Sequence, residues 1–411
     1  MSARPCRACG APLTQSFVDL GSTPLANAYL TQERLAEPEP RYPLRAFVCG
    51  ACWLVQADSF VPPEDIFSHY AYFSSYSDSW VEHARRFTVI ARERFGLDTD
   101  SQVIEVASND GYLLRHFITA GVPVLGIEPA ANVAEAARRI GVPTESRFFN
   151  QATAHDLVAR GLAADLIVAN NVMAHVPDIN DFVAGLAAAL KPDGVISIEF
   201  PHLLRLIEGV QFDTIYHEHF YYLSLLAVEN VFAAHGLAVF DVEALPTHGG
   251  SLRVFACRVT SPAQQTRAGV SAVRAEERAA GLDRLEGYAL FQHRIAPIRF
   301  GLLRFLDQAA EDGKSVAAYG AAAKGNTLLN FCGVGADRIS YVVDRNPAKQ
   351  GHYLPGSHVP ILPPEHVAHH RPDYLLILPW NIREEVMAGM EAIRQWGGRF
   401  VIAVPELIVL P

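Results

Sequence analysis

The stretch VIEVASNDGYLLRHF, residues 103–117, decides the fold class of the central part of the chain. An apolar run that suits a buried strand leads into a turn of small and polar residues, and a helical pattern follows. Further apolar runs lie at 124–129, 165–172 and 195–200, and helical stretches separate them. Strands that alternate with helices predict a mostly parallel sheet with helices on both faces.

A second alternation of the same kind lies near the end of the chain. Its apolar runs are SVAAYG at 315–320, ISYVVD at 339–344, YLLILP at 374–379 and FVIAVP at 400–405. This pattern predicts a second doubly wound α/β unit. The charged segment 262–312 has a largely helical pattern, and we expect it to link the two sheets.

The composition is that of an ordinary globular protein: 411 residues, of which 50% are hydrophobic and 19% are charged. The net charge of −10 disfavours non-specific binding to nucleic acid, so we expect no nucleic-acid partner. The sequence has neither a signal-peptide pattern nor a run of about 18 apolar residues, so we expect no membrane association. A monomer in the cytoplasm is the expected state.

Four of the six cysteines form two CxxC pairs near the start of the chain, Cys6 with Cys9 and Cys49 with Cys52. Two residues between cysteines let both sulfurs face one ion, and four thiolates complete the tetrahedral shell of a structural zinc. A redox CxxC is one alternative, although it usually accompanies a thioredoxin-like βαβ unit that this segment lacks. Two disulfides are the other alternative.

The turn after the strand at 103–107 suggests a nucleoside-containing cofactor. An acid ends the next strand, at Glu128, where it can accept the hydroxyls of a ribose. Ala107 and Asn109 stand where a dinucleotide turn needs glycines, which favours S-adenosylmethionine over NAD. The alternative is an ordinary strand–turn–helix with a surface glutamate. The predicted cofactor residues are Glu105, Ala107, Asn109, Asp110, Glu128, Pro129, Phe148, Phe149 and Asn170.

The stretch FDTIYHEHFYYLS, 212–224, follows the last strand of the central unit and is rich in groups that transfer protons. Together with His175, which lies just beyond the apolar run at 165–172, it suits removal of a proton next to a carbonyl. A histidine can act as the base near neutral pH, and a phenol or a second imidazole can donate to the developing enolate oxygen. The alternative is a solvated polar turn, and spacing does not decide which histidine is the base.

At this point the chain resembles the S-adenosylmethionine-dependent C-methyltransferases that act on nucleotide-linked 4-keto-deoxysugars in antibiotic sugar pathways. The resemblance covers nearly the whole length. It rests on CRACG, DLGSTPLANAYL, FVCGACWLVQ, YAYFSSYSDSW, EVASNDGYLL, NNVMAHV, YHEHFYYLS, THGGSLRVF and YGAAAKGN. It implies a zinc-binding domain at 1–65, a Rossmann-like methyltransferase domain at 66–245 and a Rossmann-like sugar-nucleotide-binding domain at 246–411.

The same resemblance implies the catalytic residues. His219, which ends the YHEH run, is the favoured base, and Tyr216 and Glu218 lie beside it in the sequence. His175 and Tyr70 complete the implied set. Members of the family methylate C3 or C5 of the hexose, and C3 is favoured here over C5.

Three motifs are expected to contact a nucleotide-sugar substrate that is linked to thymidine diphosphate. Hydroxyls of the run at 70–80 suit a sugar, an arginine in THGGSLRVF suits a phosphate, and the lysine in GAAAKGN begins a helix, where an anion binds readily. The alternatives are a polar loop, a hairpin with an exposed arginine, and a Rossmann unit kept only for packing. The predicted substrate residues are Tyr72, Ser74, Ser75, His248, Ser251, Arg253, Lys324 and Asn326.

The predicted function is C-methyl transfer, and the sequence leaves other classes open. One is an NAD(P)-dependent sugar-nucleotide oxidoreductase that would use the C-terminal unit. Another is a zinc-anchored protein that binds a sugar nucleotide without catalysis. An O-methyltransferase would use the same base on a hydroxyl group.

Overall fold

The computed structural model describes residues 4–62, 73–262 and 264–411. It contains an N-terminal region with a small antiparallel sheet and two α/β units with largely parallel sheets, in agreement with the predicted fold class. Tyr70 and Tyr72 lie outside the described residues.

The N-terminal region contains a hairpin and a four-stranded antiparallel sheet in the order β11-β5-β4-β3. The edge strand β11 comes from the segment that follows YHEH, and it pairs with β5. The N-terminal region is therefore hydrogen-bonded to the segment next to the predicted catalytic stretch. The strands are β1 (Arg4–Pro5), β2 (Pro12–Leu13), β3 (Gln15–Thr23), β4 (Tyr42–Val48), β5 (Val55–Ala57) and β11 (Tyr221–Tyr222).

The central sheet has seven strands in the order β12-β13-β10-β9-β6-β7-β8. The strands from β10 to β8 are parallel, whereas β13 runs antiparallel to both of its neighbours. The strands are β6 (Val103–Val106), β7 (Val124–Ile127), β8 (Thr144–Glu145), β9 (Ala164–Asn170), β10 (Leu190–Pro201), β12 (Leu237–Leu245) and β13 (Ser251–Arg258). The predicted boundary at residue 245 therefore falls between two adjacent strands of one sheet.

Helices cover both faces of this sheet, which is why β6 is fully buried and reads as a nearly continuous apolar run. The helices are α1 (Asp78–Phe95), α2 (Leu114–Thr119), α3 (Ala131–Arg139), α4 (Gln151–Ala159), α5 (Ile179–Ala189), α6 (Leu203–Glu208), α7 (Leu225–Ala234) and α8 (Ala268–Ala279). The strand order reverses beside β6, and parallel α/β sheets bind ligands at such a switch point.

The C-terminal sheet has the order β16-β15-β14-β17-β18-β19, and it is parallel except for β19. Its strands are β14 (Val316–Tyr319), β15 (Val342–Val343), β16 (Ile361–Leu362), β17 (Tyr374–Ile377), β18 (Arg399–Ile402) and β19 (Ile408–Leu410). The accompanying helices are α9 (Glu286–Ala289), α10 (Phe291–Glu311), α11 (Ala323–Cys332), α12 (His366–His370) and α13 (Arg383–Gly389). This sheet also reverses its order beside its first strand, β14.

Short 3-10 turns complete the described secondary structure at Glu33–Ala36, Ser74–Tyr76, Phe212–Thr214, Thr247–Gly249, Trp380–Ile382 and Glu391–Trp396. Across the described ranges, we find no helix with the length and apolar character that a bilayer crossing requires.

One hydrophobic core joins the three regions. Phe17 of β3 stacks on Phe291 of α10, with ring centroids 4.5 Å apart, and Phe212 meets Phe331 of α11 at 5.0 Å. Burial of each such side chain contributes about 1.5–3 kcal/mol relative to exposure. The regions are therefore held against one another by packed aromatic rings.

Candidate active site

A cavity of about 690 Å³ lies at the carboxyl ends of β6, β7 and β9. We call it the central cavity, because the N-terminal region contributes Asn27 and Tyr29 to its wall and the C-terminal unit contributes Lys324 and Lys349. Many residues predicted from the sequence line it: Ser74, Ala107, Asn109, Glu128, Pro129, Phe148, Phe149, Asn170, His175, Tyr216, His219, His248 and Lys324.

The turn after β6 has an unusual backbone that explains its sequence. Ala107 and Asn109 have φ values of 54° and 50°, in the left-handed region that non-glycine residues rarely adopt. Gly111 has φ 80°, and a Cβ at this position would lie 2.8 Å from Val142. The turn therefore requires glycine at residue 111 and brings the backbone of the preceding residues to the cavity wall.

Glu128 supports this turn and lies on the cavity wall. Its carboxylate accepts hydrogen bonds from the backbone amides of Asn109, at 3.0 Å, and Ala130, at 2.9 Å. Burial raises the pKa of Glu128 to about 7, against the opposing effect of these amides. Each carboxylate oxygen retains acceptor capacity, as binding of ribose hydroxyls requires.

Two predicted cofactor residues, Glu105 and Asp110, are buried and lie outside the cavity lining. Asp110 accepts a hydrogen bond from the backbone amide of Ser75 at 3.1 Å, and Asn109 accepts one from the amide of Ser74 at 2.8 Å. The backbone amides of the two serines thus brace this turn, and Ser74 also lines the cavity, so its contact with a sugar stays a prediction. Burial, together with the charge of Asp110, raises the pKa of Glu105 well above its usual range.

His175 and His219 meet at the cavity with ring centroids 4.6 Å apart. Nδ1 of His219 lies 2.8 Å from the carbonyl oxygen of Thr214, and Nδ1 of His175 lies 2.9 Å from that of Glu218. A carbonyl only accepts, so Nδ1 carries the ring hydrogen in both neutral rings and Nε2 has the lone pair. The ring of Tyr216 lies 3.9 Å from that of His219.

Burial keeps both imidazoles neutral. It lowers the pKa of His175 to about 4. It lowers the pKa of His219 well below its usual range, and the neighbouring His175 adds to this effect. A neutral imidazole is the form in which a histidine accepts a proton from a substrate.

The side chain of Glu218 points away from these rings. Both of its carboxylate oxygens accept hydrogen bonds from Nδ2 of Asn27, at 2.8 and 2.7 Å, and burial raises its pKa to about 7. Backbone carbonyls at Thr214 and Glu218, and not this carboxylate, hold the ring hydrogens of the two histidines on Nδ1. His217 also turns away, with Nε2 3.2 Å from the carbonyl oxygen of Pro43.

Lys324 lies at the start of α11, where the backbone favours anions, and it lines the cavity. Its ammonium lies 4.7 Å from the ring centroid of Trp380, whose indole donates to the buried carboxylate of Asp213 at 2.7 Å. Burial lowers the pKa of Lys324. Asn326 is outside the cavity lining, and its amide donates to the carbonyl oxygen of Ala26.

Arg253 does not meet the expectation of a phosphate contact. It is buried within β13, where its guanidinium pairs with Glu199 and lies 2.8 Å from the carboxylate of Glu243. The hydroxyl of Ser251 donates to the carbonyl oxygen of Thr247 at 2.9 Å. Both side chains are therefore engaged inside the protein and lie outside the cavity lining.

Sequence reasoning missed several residues of the cavity wall: Asn27, Tyr29, Trp80, Asn171, Thr214 and Lys349. Two signals were present, since PLANAYL contains Asn27 and Tyr29, and Asn171 directly follows the predicted Asn170. Trp80 and Thr214 also lie within quoted motifs, at 70–80 and 212–224, whereas the place of Lys349 depends on chain folding that the sequence does not display.

The four N-terminal cysteines fit a zinc ion. Their sulfurs lie within 4.8 Å of one another, and Cys6 and Cys52 are 3.6 Å apart. Four sulfurs at about 2.3 Å from a tetrahedral zinc would be separated by about 3.8 Å. The amide of Gln56 donates to the sulfur of Cys6 at 3.1 Å, which supports a thiolate.

Comparison with known proteins agrees with the class of enzyme that this fold and cavity define, an S-adenosylmethionine-dependent methyltransferase. Three family models match successive parts of the chain. They are described as "Putative zinc binding domain" for residues 6–67, "Methyltransferase domain" for 80–242 and "C-methyltransferase C-terminal domain" for 246–405. Zinc and S-adenosylmethionine are thus the metal and the cofactor of this chain.

The chain belongs to the C-methyltransferase family. It is 38% identical to C-methyltransferase NovU of Streptomyces niveus over 401 residues, which cover 98% of this chain and 95% of that protein. A ubiquinone biosynthesis O-methyltransferase of Methylobacterium sp. (strain 4-46) is 34% identical over 97 residues, 23% of this chain and 38% of that protein.

Solved structures resemble part of the chain. Magnesium protoporphyrin IX methyltransferase (ChlM) of Synechocystis PCC 6803 with bound SAM is 14% identical and has a TM-score of 0.33, over 43% of this chain and 77% of that chain. The PH0226 protein of Pyrococcus horikoshii OT3 is 13% identical with a TM-score of 0.36, over 49% of this chain and 100% of that chain.

Proposed function

We propose that the chain methylates a carbon next to the ketone of a nucleotide-linked 4-keto-deoxysugar, with C3 favoured over C5. The single observation that carries this proposal is the shared wall of the central cavity. The predicted cofactor acid Glu128, the predicted base His219 and Lys324 all line it. Cofactor, base and anion site would therefore serve one bound substrate.

In this proposal His219 acts as the base. Its Nε2 lone pair removes the acidic proton, because the Thr214 carbonyl holds the ring hydrogen on Nδ1. His175 and Tyr216 pack against the ring and restrict its orientation. When bound, S-adenosylmethionine supplies an electrophilic methyl group on a sulfonium. The role of the chain is to align the carbanion with that methyl group.

Lys324 is proposed to meet the diphosphate of the substrate, and thymidine is the proposed nucleoside. Two features support an anion at this place: Lys324 lines the cavity, and α11 begins there. Asp344 is proposed to take a ribose hydroxyl, while its carboxylate already accepts the backbone amides of Ala321 and Asn346, each at 2.8 Å. Residues of one chain form the described wall, so a monomer suffices for this proposal.

Membership in the C-methyltransferase family argues against a nicotinamide oxidoreductase and against a non-catalytic binding protein. The proposal therefore has one enzyme-class rival, methylation of oxygen. A reaction on carbon requires an acidic C–H next to a ketone, whereas a reaction on oxygen requires a hydroxyl group.

The test is to incubate the protein with S-adenosylmethionine and thymidine diphosphate-4-keto-6-deoxyglucose. We expect release of S-adenosylhomocysteine and a C-methylated sugar, whose new methyl group is located by NMR. The matched control is the sugar nucleotide with a hydroxyl in place of the ketone, which should remain unmethylated. Methylation of that control on oxygen would contradict the proposal.

A further inference from the structure

A third imidazole, that of His248, lies on the wall of the central cavity. It belongs to the 3-10 turn Thr247–Gly249 between β12 and β13. Its φ of 55° is in the left-handed region, and so is the φ of 54° at Asn171, which follows β9. Such backbone strain persists only where the surroundings fix it, and it is concentrated at functional sites.

Asn171 and His248 are in contact. Nδ2 of Asn171 lies 3.3 Å from Nε2 of His248. An amide nitrogen only donates, so Nε2 of His248 is the acceptor and the ring hydrogen of the neutral imidazole lies on Nδ1. Within the described part of the chain, Nδ1 of His248 has no hydrogen-bond partner.

His219 and His248 therefore present opposite groups to a ligand. The protein engages Nδ1 of His219, which leaves the Nε2 lone pair as an acceptor. It engages Nε2 of His248, which leaves the Nδ1–H as a donor. Two imidazoles on one cavity wall thus supply one base and one hydrogen-bond donor.

The surroundings of His248 keep this donor neutral. Burial lowers the pKa of His248 to about 4, and the ammonium of Lys324 acts in the same direction. The ring of Trp80 packs against that of His248 with centroids 5.3 Å apart. A neutral imidazole can stabilise a developing oxyanion by donating a hydrogen bond without giving up its proton.

We propose that His248 is a catalytic residue that donates its Nδ1–H to the ketone oxygen as an enolate forms, and that Asn171 is a positioning residue that fixes its tautomer. This inference rests on the proposed function. The C–H bond breaks, its proton moves to Nε2 of His219, and its electron pair forms the enolate. The negative charge on the ketone oxygen then lies at the hydrogen bond from His248.

The tautomer is tested first, by ¹⁵N NMR of the full chain without ligand, with the His248 signal assigned from its loss in His248→Gln. We expect the hydrogen on Nδ1. In Asn171→Asp the carboxylate can only accept, so the hydrogen should move to Nε2. A wild-type spectrum with the hydrogen on Nε2 would overturn the proposal without any measurement of activity.

Catalysis is tested by exchange of the sugar proton for deuterium in D₂O, with S-adenosylhomocysteine and thymidine diphosphate-4-keto-6-deoxyglucose as probes. His248→Gln and Asn171→Asp should each lower this exchange and kcat by about 10²–10³-fold, the usual loss for one oxyanion donor. KM for S-adenosylmethionine should stay unchanged. His248→Asn, whose amide nitrogen can take the place of Nδ1, should retain more activity than His248→Gln.

His235→Gln is the matched control, because His235 also contacts an asparagine, with Nε2 3.1 Å from Oδ1 of Asn180, but lies outside the cavity lining. It should exchange and turn over like the wild type. Calorimetric titration with S-adenosylhomocysteine identifies any variant that fails to fold. Wild-type rates in folded His248→Gln would overturn this inference alone, whereas no exchange in the wild type would overturn the proposed function first.

Discussion

Replacement of His219 by asparagine removes the proposed base but can keep its hydrogen bond to the backbone. The amide nitrogen of asparagine can occupy the place of Nδ1 and keep the 2.8 Å hydrogen bond to the carbonyl oxygen of Thr214. Nothing in the new side chain replaces Nε2, so the proton acceptor is lost. A positioned general base contributes about 10²–10⁴-fold, and we expect kcat to fall by that factor.

The same substitution removes ring packing against His175 and Tyr216, whose centroids lie 4.6 and 3.9 Å from that of His219. We expect the free energy of unfolding to fall by about 0.5–3 kcal/mol, the usual range for a buried substitution. Urea titration measures this loss and shows that the variant is folded under assay conditions. Binding of S-adenosylmethionine, measured by calorimetry, should be largely retained, because Glu128 and the turn after β6 remain intact.

The assay is release of S-adenosylhomocysteine with both substrates saturating. The matched control is His217→Asn, because the ring of His217 contacts the carbonyl oxygen of Pro43 and lies outside the cavity lining. We expect the control to turn over at close to the wild-type rate. If His219→Asn does the same, His219 is not the base and the proposed mechanism fails.

Three further predictions concern the cofactor, the domain contacts and the metal. The affinity for S-adenosylmethionine, measured by calorimetry, should fall about tenfold from pH 8 to pH 6. The reason is that the pKa of Glu128 is raised to about 7, and its carboxyl accepts hydrogen bonds from ribose hydroxyls best when it is ionised above that pH. The variant Glu128→Gln should bind weakly at both pH values. Trp380→Phe leaves the buried carboxylate of Asp213 without its indole donor, so urea titration should show a loss of about 1–3 kcal/mol. Cys9→Ser should lower bound zinc from about one ion per chain, measured by atomic absorption, and should also lower the unfolding temperature.

The features that sequence predicts well here are local ones. Apolar runs with helical stretches between them predicted both α/β units, and the CxxC spacing predicted the cluster of four sulfurs. Ala107 and Asn109 were notable because glycine is usual at such positions, and the structure gives both of them a left-handed backbone. These properties depend on residues that are close together in the sequence, so one amino-acid sequence is enough to predict them.

Side-chain partners that are distant in sequence could not be predicted. Arg253 has the chemistry of a phosphate ligand, yet packing beside Glu199 in the adjacent strand engages its guanidinium. Glu218 follows a histidine directly, but its carboxylate meets Asn27, which is 191 residues away in the chain. The direction of a side chain in a turn depends on tertiary packing, which sequence spacing does not report.

The wall of the central cavity draws on residues as far apart as Asn27 and Lys349. A ribosome must therefore synthesise most of the chain before the central cavity can form. Until then, the nascent chain contains the zinc-binding and cofactor-binding regions but is not an active enzyme. For the same reason, exchange of one whole region between related proteins would replace part of the wall of the central cavity. Recombination in this family must preserve the fit of the parts as well as the parts themselves.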